Sequence, residues 1–114
     1  MRKEQRLRKR RAFTGVYEGG RSCANLLSVL YYLANRMDIT RVGFSVSRRL
    51  GKAVVRNRVR RRYREAYRAL RDRVLPGYDI VFIARRPAAD AQYVEIEASI
   101  EQLLRKAGLL REGR

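Results

Sequence analysis

The densest run of reactive side chains in this sequence is a stretch of arginines. Residues 56–64 contain six arginines and no acidic residue, and residues 48–73 contain twelve basic residues against two acidic ones. The guanidinium group is planar, permanently charged, and pairs with phosphate through two parallel hydrogen bonds. A helix face of this kind repels itself when no acid at i, i+4 neutralises it. We therefore favour phosphate binding over a merely solvated helix face.

The charge of the whole chain is +17, and the excess lies in two blocks. Besides residues 48–73, residues 1–11 carry seven basic side chains and one acid, whereas residues 87–114 carry four basic and five acidic side chains. Such an uneven distribution is typical of an oriented surface for a polyanion. No apolar span or lipidation signal accompanies it, so we expect nucleic acid as the partner and no membrane.

Catalytic side chains are scarce. The sequence has no histidine, and Cys23 is its single cysteine, so neither a Cys–His nucleophile pair nor a zinc cluster can be built. A two-metal nuclease needs converging carboxylates, but the basic segment holds only Glu65 and Asp72. We expect no catalytic residue and no metal site in the chain.

A secretory signal is not predicted either, because no continuous apolar segment follows residues 1–11, and we expect a cytoplasmic protein.

The helices that must position these residues follow from apolar spacing. A long helix is predicted over Leu50–Arg73, with Val55, Val59, Tyr63, Ala66, Tyr67 and Leu70 on its core side. Its opposite side gathers Asn57, Arg60, Arg61, Arg64, Arg68 and Arg71. A short helix ending near Glu18 carries Phe13 and Tyr17, and a last helix spans about Gln92–Ala107.

Strands are predicted over Asn25–Ala34, Arg41–Ser47 and Tyr78–Ala84. In the second of these, Val42, Phe44 and Val46 share one face, while Gly43, Ser45 and Ser47 form a small, easily approached face. Aromatic residues at such spacings usually belong to the core. Stacking on nucleic-acid bases is the alternative for Phe13, Tyr17 and Tyr31, and composition alone leaves both open.

Residues 48–61 read Arg-Arg-Leu-Gly-Lys-Ala-Val-Val-Arg-Asn-Arg-Val-Arg-Arg and closely resemble the RNR signature helix of bacterial ribonuclease P protein subunits. The resemblance extends through residues 7–17, 30–31, 41–47 and 83–88 in the family's order. It implies an α+β fold, a small two-layer α/β sandwich of order α-β-β-β-α-β-α, ribosomal protein S5 domain 2-like. It also implies a left-handed β-α-β crossover, whereas about 98% of such crossovers are right-handed. We expect one RNA-binding domain over residues 1–114.

The resemblance implies a protein cofactor of ribonuclease P, whose RNA subunit removes the 5′ leader of precursor tRNA. Ribonuclease P RNA and precursor tRNA are the implied partners, without an obligate protein partner, and Mg²⁺ bound mainly by the RNA is the implied cofactor. The protein alone is expected to be non-catalytic. The alternatives are a ribosomal or other structural RNA-binding protein and a DNA-binding architectural protein, and neither accounts for the RNR motif with its upstream aromatic residues.

Two sets of site residues follow from the resemblance. The set expected to contact the RNA subunit is Arg56, Asn57, Arg58, Arg60, Arg61, Arg64 and Arg68. The set expected to contact the leader, in a cleft beside the sheet, is Phe13, Tyr17, Tyr31, Ser45, Ser47, Arg49, Arg85 and Arg86.

Overall fold

The computed structural model describes residues 5–111, so the first four residues of the basic block 1–11 lie outside the described residues. The helices of this range are Arg10–Gly19 (α1), Ala53–Leu70 (α2) and Tyr93–Lys106 (α3). The strands are Arg21–Ala24 (β1), Ser28–Ala34 (β2), Arg41–Ser45 (β3) and Tyr78–Ala84 (β4). The α+β class and the α-β-β-β-α-β-α order are confirmed. No helix within residues 5–111 is long and apolar enough to cross a membrane.

The strands form one sheet in the order β1-β2-β4-β3. β2 runs antiparallel to β1 and β4, whereas β3 and β4 are parallel and are joined through α2. On the outer side of β3, Arg6 forms a parallel bridge to Val42, and the Leu7 N–H donates to the Val42 carbonyl at 2.9 Å. The segment before α1 therefore covers the edge of β3 and sets its basic side chains beside the sheet.

The main core lies between one face of the sheet and the pair α2 and α3. The apolar stripe predicted on α2 is buried there from Val59 to Leu70, and Val55 packs against it half-buried. Phe44 of β3 reaches the same layer, with its ring centroid 6.2 Å from Tyr67 and 6.1 Å from Phe82. Burying one such side chain stabilises the fold by about 1.5–3 kcal/mol, so this layer holds α2 firmly with its arginines outward.

A much smaller core lies on the other face of the sheet, under α1. Leu7, Val16 and Val81 are buried in it, and half-buried side chains of α1, β2 and β4 pack around them. Leu7 comes from the segment before α1, so both that segment and α1 are held to the sheet by the same few contacts. Because α1 is short, it covers only part of this face, and the rest stays open.

The predicted start of the long helix was wrong by three residues. Arg48–Leu50 forms a separate 3-10 helix, and α2 begins only at Ala53. The interruption falls at Gly51, whose φ of 142° is rarely adopted by residues with a Cβ. The chain turns there because only glycine accepts that conformation without strain.

Two predicted strand limits also needed correction. The strand expected from Asn25 begins at Ser28, because the Asn25 side chain accepts the Ser28 N–H at 3.1 Å and closes a turn between β1 and β2. The strand expected to reach Ser47 ends at Ser45. Ser47 instead accepts the Arg49 N–H at 3.3 Å and caps the following 3-10 helix.

Candidate nucleic-acid interface

The arginine face of α2 points away from the main core, as the spacing predicted. Arg61 and Arg68 are exposed, and Arg60 and Arg64 are half-buried. The Arg60 guanidinium donates to the Asn57 Oδ1 at 3.0 Å, which orients it along the helix. This face therefore presents several guanidinium groups at one-turn intervals, a spacing suited to successive phosphates.

Arginines at the margins of this face are engaged by the protein itself. Arg56 donates to the Gly51 carbonyl at 3.0 Å, and Arg62 donates to the Ala91 carbonyl at 2.7 Å. The Nε of Arg58 is buried and has no hydrogen-bond partner within residues 5–111. Arg56 and Arg62 thus spend part of their hydrogen-bonding capacity on the protein, unlike Arg61 and Arg68.

A groove of about 290 Å³ joins the two sets of predicted site residues. Its walls are Arg6, Leu7, Arg8, Phe13, Val42, Gly43, Phe44, Arg60 and Arg64. Arg60 and Arg64 were expected on the RNA-subunit surface, and Phe13 was expected in the leader cleft. The fold brings them to one groove because the segment before α1 runs along β3, next to α2.

Three aromatic rings form a cluster on the open face of the sheet. The Tyr17 ring lies 6.5 Å from Phe13 and 5.1 Å from Tyr31, both in edge-to-face arrangements. Tyr17 is 36% exposed, whereas Phe13 and Tyr31 are half-buried against the small core. Burial raises the pKa of the Tyr17 phenol, and a hydrogen bond with Ser45 opposes that shift. The phenol therefore stays neutral and can lie against a base.

The small face predicted for β3 is not open along its whole length. At Gly43 the space is filled by Phe13, because a Cβ added there would lie 2.4 Å from the Cζ of that ring. The expectation that Gly43 is easily approached was therefore wrong. Glycine is needed at this position so that the aromatic ring of α1 can rest on the strand.

The floor of the open cleft contains two residues that sequence reasoning missed. The register pairs Tyr31 with Val81, and it pairs Val29 with Ile83, which in turn lies beside Ser45. Val29 and Ile83 are half-buried and share a face with Tyr31 and Ser45, since successive residues of a strand alternate between faces. Val29 lies two residues before Tyr31 on the same strand, so alternation places both on one face. Ile83 belongs to another strand, and only the strand pairing shows that it completes the floor.

Basic residues lie at the end of this floor. Arg85 follows β4, and its guanidinium Nη1 donates to the Asn25 carbonyl at 2.8 Å. Arg86 begins another 3-10 helix, Arg86–Asp90, which packs against the 3-10 helix that contains Arg49. All three arginines are exposed. The structure thus gathers most of the predicted leader residues along one path from Phe13 to Arg85.

Potential metal-ligating side chains are dispersed among the described residues. Within residues 5–111, no three Cys, Asp or Glu side chains come together in a group that could hold an ion. The Cys23 thiol donates to the Leu103 carbonyl at 3.7 Å, and burial raises its pKa. Asp79 is occupied by Arg41, which donates to both carboxylate oxygens at 2.8 and 2.6 Å.

Sequence comparisons match this chain to one protein family. A family model described as Ribonuclease P matches residues 1–108. The ribonuclease P protein component of Symbiobacterium thermophilum is 51% identical over 115 aligned residues, which cover 99% of this chain and 100% of that protein. The component from Clostridium botulinum strain Langeland is 47% identical over 108 residues, covering 94% of this chain and 97% of its own length.

Solved structures agree with the sequence matches. The RNase P protein of Staphylococcus aureus superposes with a TM-score of 0.87 at 37% identity, covering 94% of this chain and 98% of that one. The RNase P protein of Thermotoga maritima gives a TM-score of 0.82 at 32% identity, covering 95% and 98%. With both its sequence and its fold matched over nearly the whole length, the chain belongs to the ribonuclease P protein family.

Proposed function

We propose that this chain acts as the protein cofactor of ribonuclease P, holding the RNA subunit on the arginine face of α2 and the 5′ leader of precursor tRNA in the aromatic cleft. Membership of the family makes it a subunit of an endoribonuclease ribonucleoprotein. The observation that carries the proposal is the groove in which Arg60 and Arg64 meet Phe13. In this groove, two RNA segments can approach each other over one block of positive charge.

The RNA-subunit surface consists of Arg56, Asn57, Arg58, Arg60, Arg61, Arg64 and Arg68. Exposed guanidinium groups displace counterions from phosphates, which favours binding at low salt and makes affinity depend on salt concentration. Arg61 and Arg68 are exposed and can pair with phosphate. The large core behind α2 keeps this row rigid, so little of the binding energy is lost in ordering the helix.

The leader surface consists of Phe13, Tyr17, Tyr31, Ser45, Ser47, Arg49, Arg85 and Arg86, with Val29 and Ile83 as its apolar floor. Single-stranded RNA binds proteins by stacking its bases on aromatic rings while arginines hold its phosphates. The cluster of rings spaced 5.1 and 6.5 Å apart supports this arrangement. A mature tRNA has no leader and therefore makes none of these contacts.

In this proposal the RNA subunit, and not the protein, carries out the cleavage. Within residues 5–111 no three Cys, Asp or Glu side chains meet in a group that could hold an ion, and we assign the Mg²⁺ of the holoenzyme mainly to the RNA subunit. The protein lowers repulsion between leader and RNA subunit, so less Mg²⁺ is needed to bring them together. We further propose that residues 1–114 act as a single domain in the cytoplasm, without an obligate protein partner.

Reconstitution tests this function. Adding the purified chain to a bacterial ribonuclease P RNA at a low Mg²⁺ concentration should restore cleavage of precursor tRNA, while the RNA-free protein should cleave nothing. An Arg21→Ala variant, which removes an exposed charge on β1 outside both surfaces, should restore cleavage equally well. A structural RNA-binding protein would bind the RNA without lowering its Mg²⁺ requirement. That result, or cleavage by the RNA-free protein, would contradict the proposal.

A further inference from the structure

The Asn25 side chain makes several hydrogen bonds that brace the turn between β1 and β2. The Asn25 Oδ1 accepts from the Ser28 N–H at 3.1 Å and from the Ser99 hydroxyl at 2.8 Å. Its Nδ2 donates to the Ser99 carbonyl at 2.9 Å and to the Gln102 Oε1 at 2.8 Å. Both donors and both acceptor sites of the amide are thus in use, and they tie the turn to α3.

The same turn holds Arg85 at two points. The Arg85 backbone N–H donates to the Leu27 carbonyl at 2.8 Å, and the guanidinium Nη1 donates to the Asn25 carbonyl at 2.8 Å. One of the five N–H donors of the guanidinium is used in this way, so four remain for a ligand. The neighbouring Arg86 is also exposed, but its guanidinium makes no hydrogen bond within residues 5–111.

The turn is also joined to the helix that carries the arginine face. The Ser28 hydroxyl is fully buried and shares a hydrogen bond of 2.6 Å with the Tyr63 hydroxyl of α2. Tyr63 also donates to the Leu27 carbonyl at 3.1 Å. A chain of short hydrogen bonds therefore connects the core side of α2, through the turn, to the guanidinium of Arg85.

We infer that Asn25 is a positioning residue, which fixes Arg85 in advance at the end of the cleft so that its free N–H donors meet a phosphate of the leader. The inference rests on the proposed function, because it takes Arg85 as a leader contact. A free arginine side chain loses rotamer entropy when it binds a ligand, and a guanidinium that is already held loses less of it. Arg86 lacks such support and should contribute less.

The affinity of the reconstituted holoenzyme for precursor tRNA with a long leader, and for mature tRNA, tests this inference. Arg85→Ala removes a charge-assisted contact and should weaken binding of the leader-bearing substrate about tenfold, with mature tRNA unaffected. Asn25→Ala should cause a smaller loss, about threefold, on the same substrate only. Arg86→Ala is the matched control and should have the weakest effect.

The double variant separates positioning from general stability. If Asn25 acts through Arg85, adding Asn25→Ala to Arg85→Ala should cause no further loss of affinity. Asn25→Asp keeps the acceptor for the Ser28 N–H but replaces Nδ2 with an oxygen that faces the Ser99 carbonyl and the Gln102 Oε1, so it should weaken leader binding as Asn25→Ala does. Thermal melting establishes that each variant is folded at the assay temperature. Should Asn25→Ala fail to fold, Asn25→Ser takes its place, since it retains a short acceptor for the turn but cannot reach Gln102.

Different results would overturn different claims. If Asn25→Ala weakens both substrates equally, or weakens the Arg85→Ala holoenzyme further, the residue is structural and the inference fails. The inference also fails, while the proposed function stands, if Arg85→Ala weakens leader binding and Asn25→Ala does not. If Arg85→Ala leaves leader binding unchanged, the leader assignment of Arg85 fails, and the inference fails with it.

Discussion

Replacing Gly43 with alanine should displace the Phe13 ring from the sheet. The added Cβ would lie 2.4 Å from Cζ and 2.8 Å from Cε2 of that ring, closer than non-bonded carbons approach. The backbone of β3 cannot easily retreat, because Gly43 pairs with Val81 in the parallel ladder with β4. The ring therefore has to move, and with it the contact between α1 and β3.

The expected change in the free energy of unfolding is the balance of two opposing effects. Overpacking of this kind costs about 1–3 kcal/mol, and replacing a strand glycine with alanine returns about 0.5–1 kcal/mol. Gly43→Ala should thus destabilise the protein by about 0.5–2 kcal/mol. Phe13→Ala should cost about 2 kcal/mol, less than the ~3–5 kcal/mol of a fully buried ring. With Phe13 already removed, Gly43→Ala meets no clash, so the double-mutant cycle should yield a coupling of about 1–3 kcal/mol.

Urea unfolding of the four proteins measures that coupling, and Gly15→Ala serves as a control because a Cβ on this glycine of α1 meets nothing within 4 Å. As holoenzymes, Gly43→Ala and Phe13→Ala should both lose affinity for leader-bearing precursor tRNA, by about 1–3 kcal/mol per lost stacked base, and keep their affinity for mature tRNA. Additive stabilities would refute the packing argument. A large loss of stability with equal weakening of both substrates would mean that Phe13 is a core residue only.

Two further predictions concern α2. Replacing both Arg60 and Arg64 with alanine should reduce the slope of log affinity for the RNA subunit against log salt concentration by about two, if each contacts one duplex phosphate. Arg21→Ala is the control and should leave the slope unchanged. An unchanged slope in the folded double variant would count against this surface. Burial raises the pKa of Tyr63 to about 12, whereas an unfolded tyrosine titrates near 10. The part of the folding free energy that depends on the neutral Tyr63 phenol is therefore fully present below pH 10. It is lost as the pH rises toward 12, by up to about 2–3 kcal/mol. Urea unfolding at pH 9–12 should show that Tyr63→Phe loses less free energy of unfolding with rising pH than the unsubstituted protein does. An identical loss in both proteins would contradict the raised pKa of Tyr63.

Features with a local period could be predicted from the sequence. The buried stripe of α2, including Tyr63 and Tyr67, follows from apolar spacing alone, and the opposite arginine face follows with it. The motif of residues 48–61 was specific enough to identify the family. Alternation along β3 likewise assigned Val42 and Phe44 to the core correctly.

Features that depend on distant contacts could not be predicted in this way. β1 is short, with mostly exposed residues, and becomes a strand only because it pairs with β2. The occupation of the Gly43 face by Phe13 depends on how α1 lies across the sheet. The role of Asn25 depends on Ser99 and Gln102, more than seventy residues away along the chain. Each of these is a matter of tertiary packing, which overrides the local pattern.

The two faces of the sheet differ greatly in how much apolar surface they bury, and this bears on which part of the molecule opens first. Local unfolding needs least free energy where few buried contacts are broken. α1 and the segment before it are held by Leu7 and Val16 on Val81, whereas α2 and α3 are embedded in the large core. Amide hydrogens of α1 should exchange well before those of α2, which leaves the aromatic cleft able to loosen around a strand of RNA while the arginine face keeps its shape.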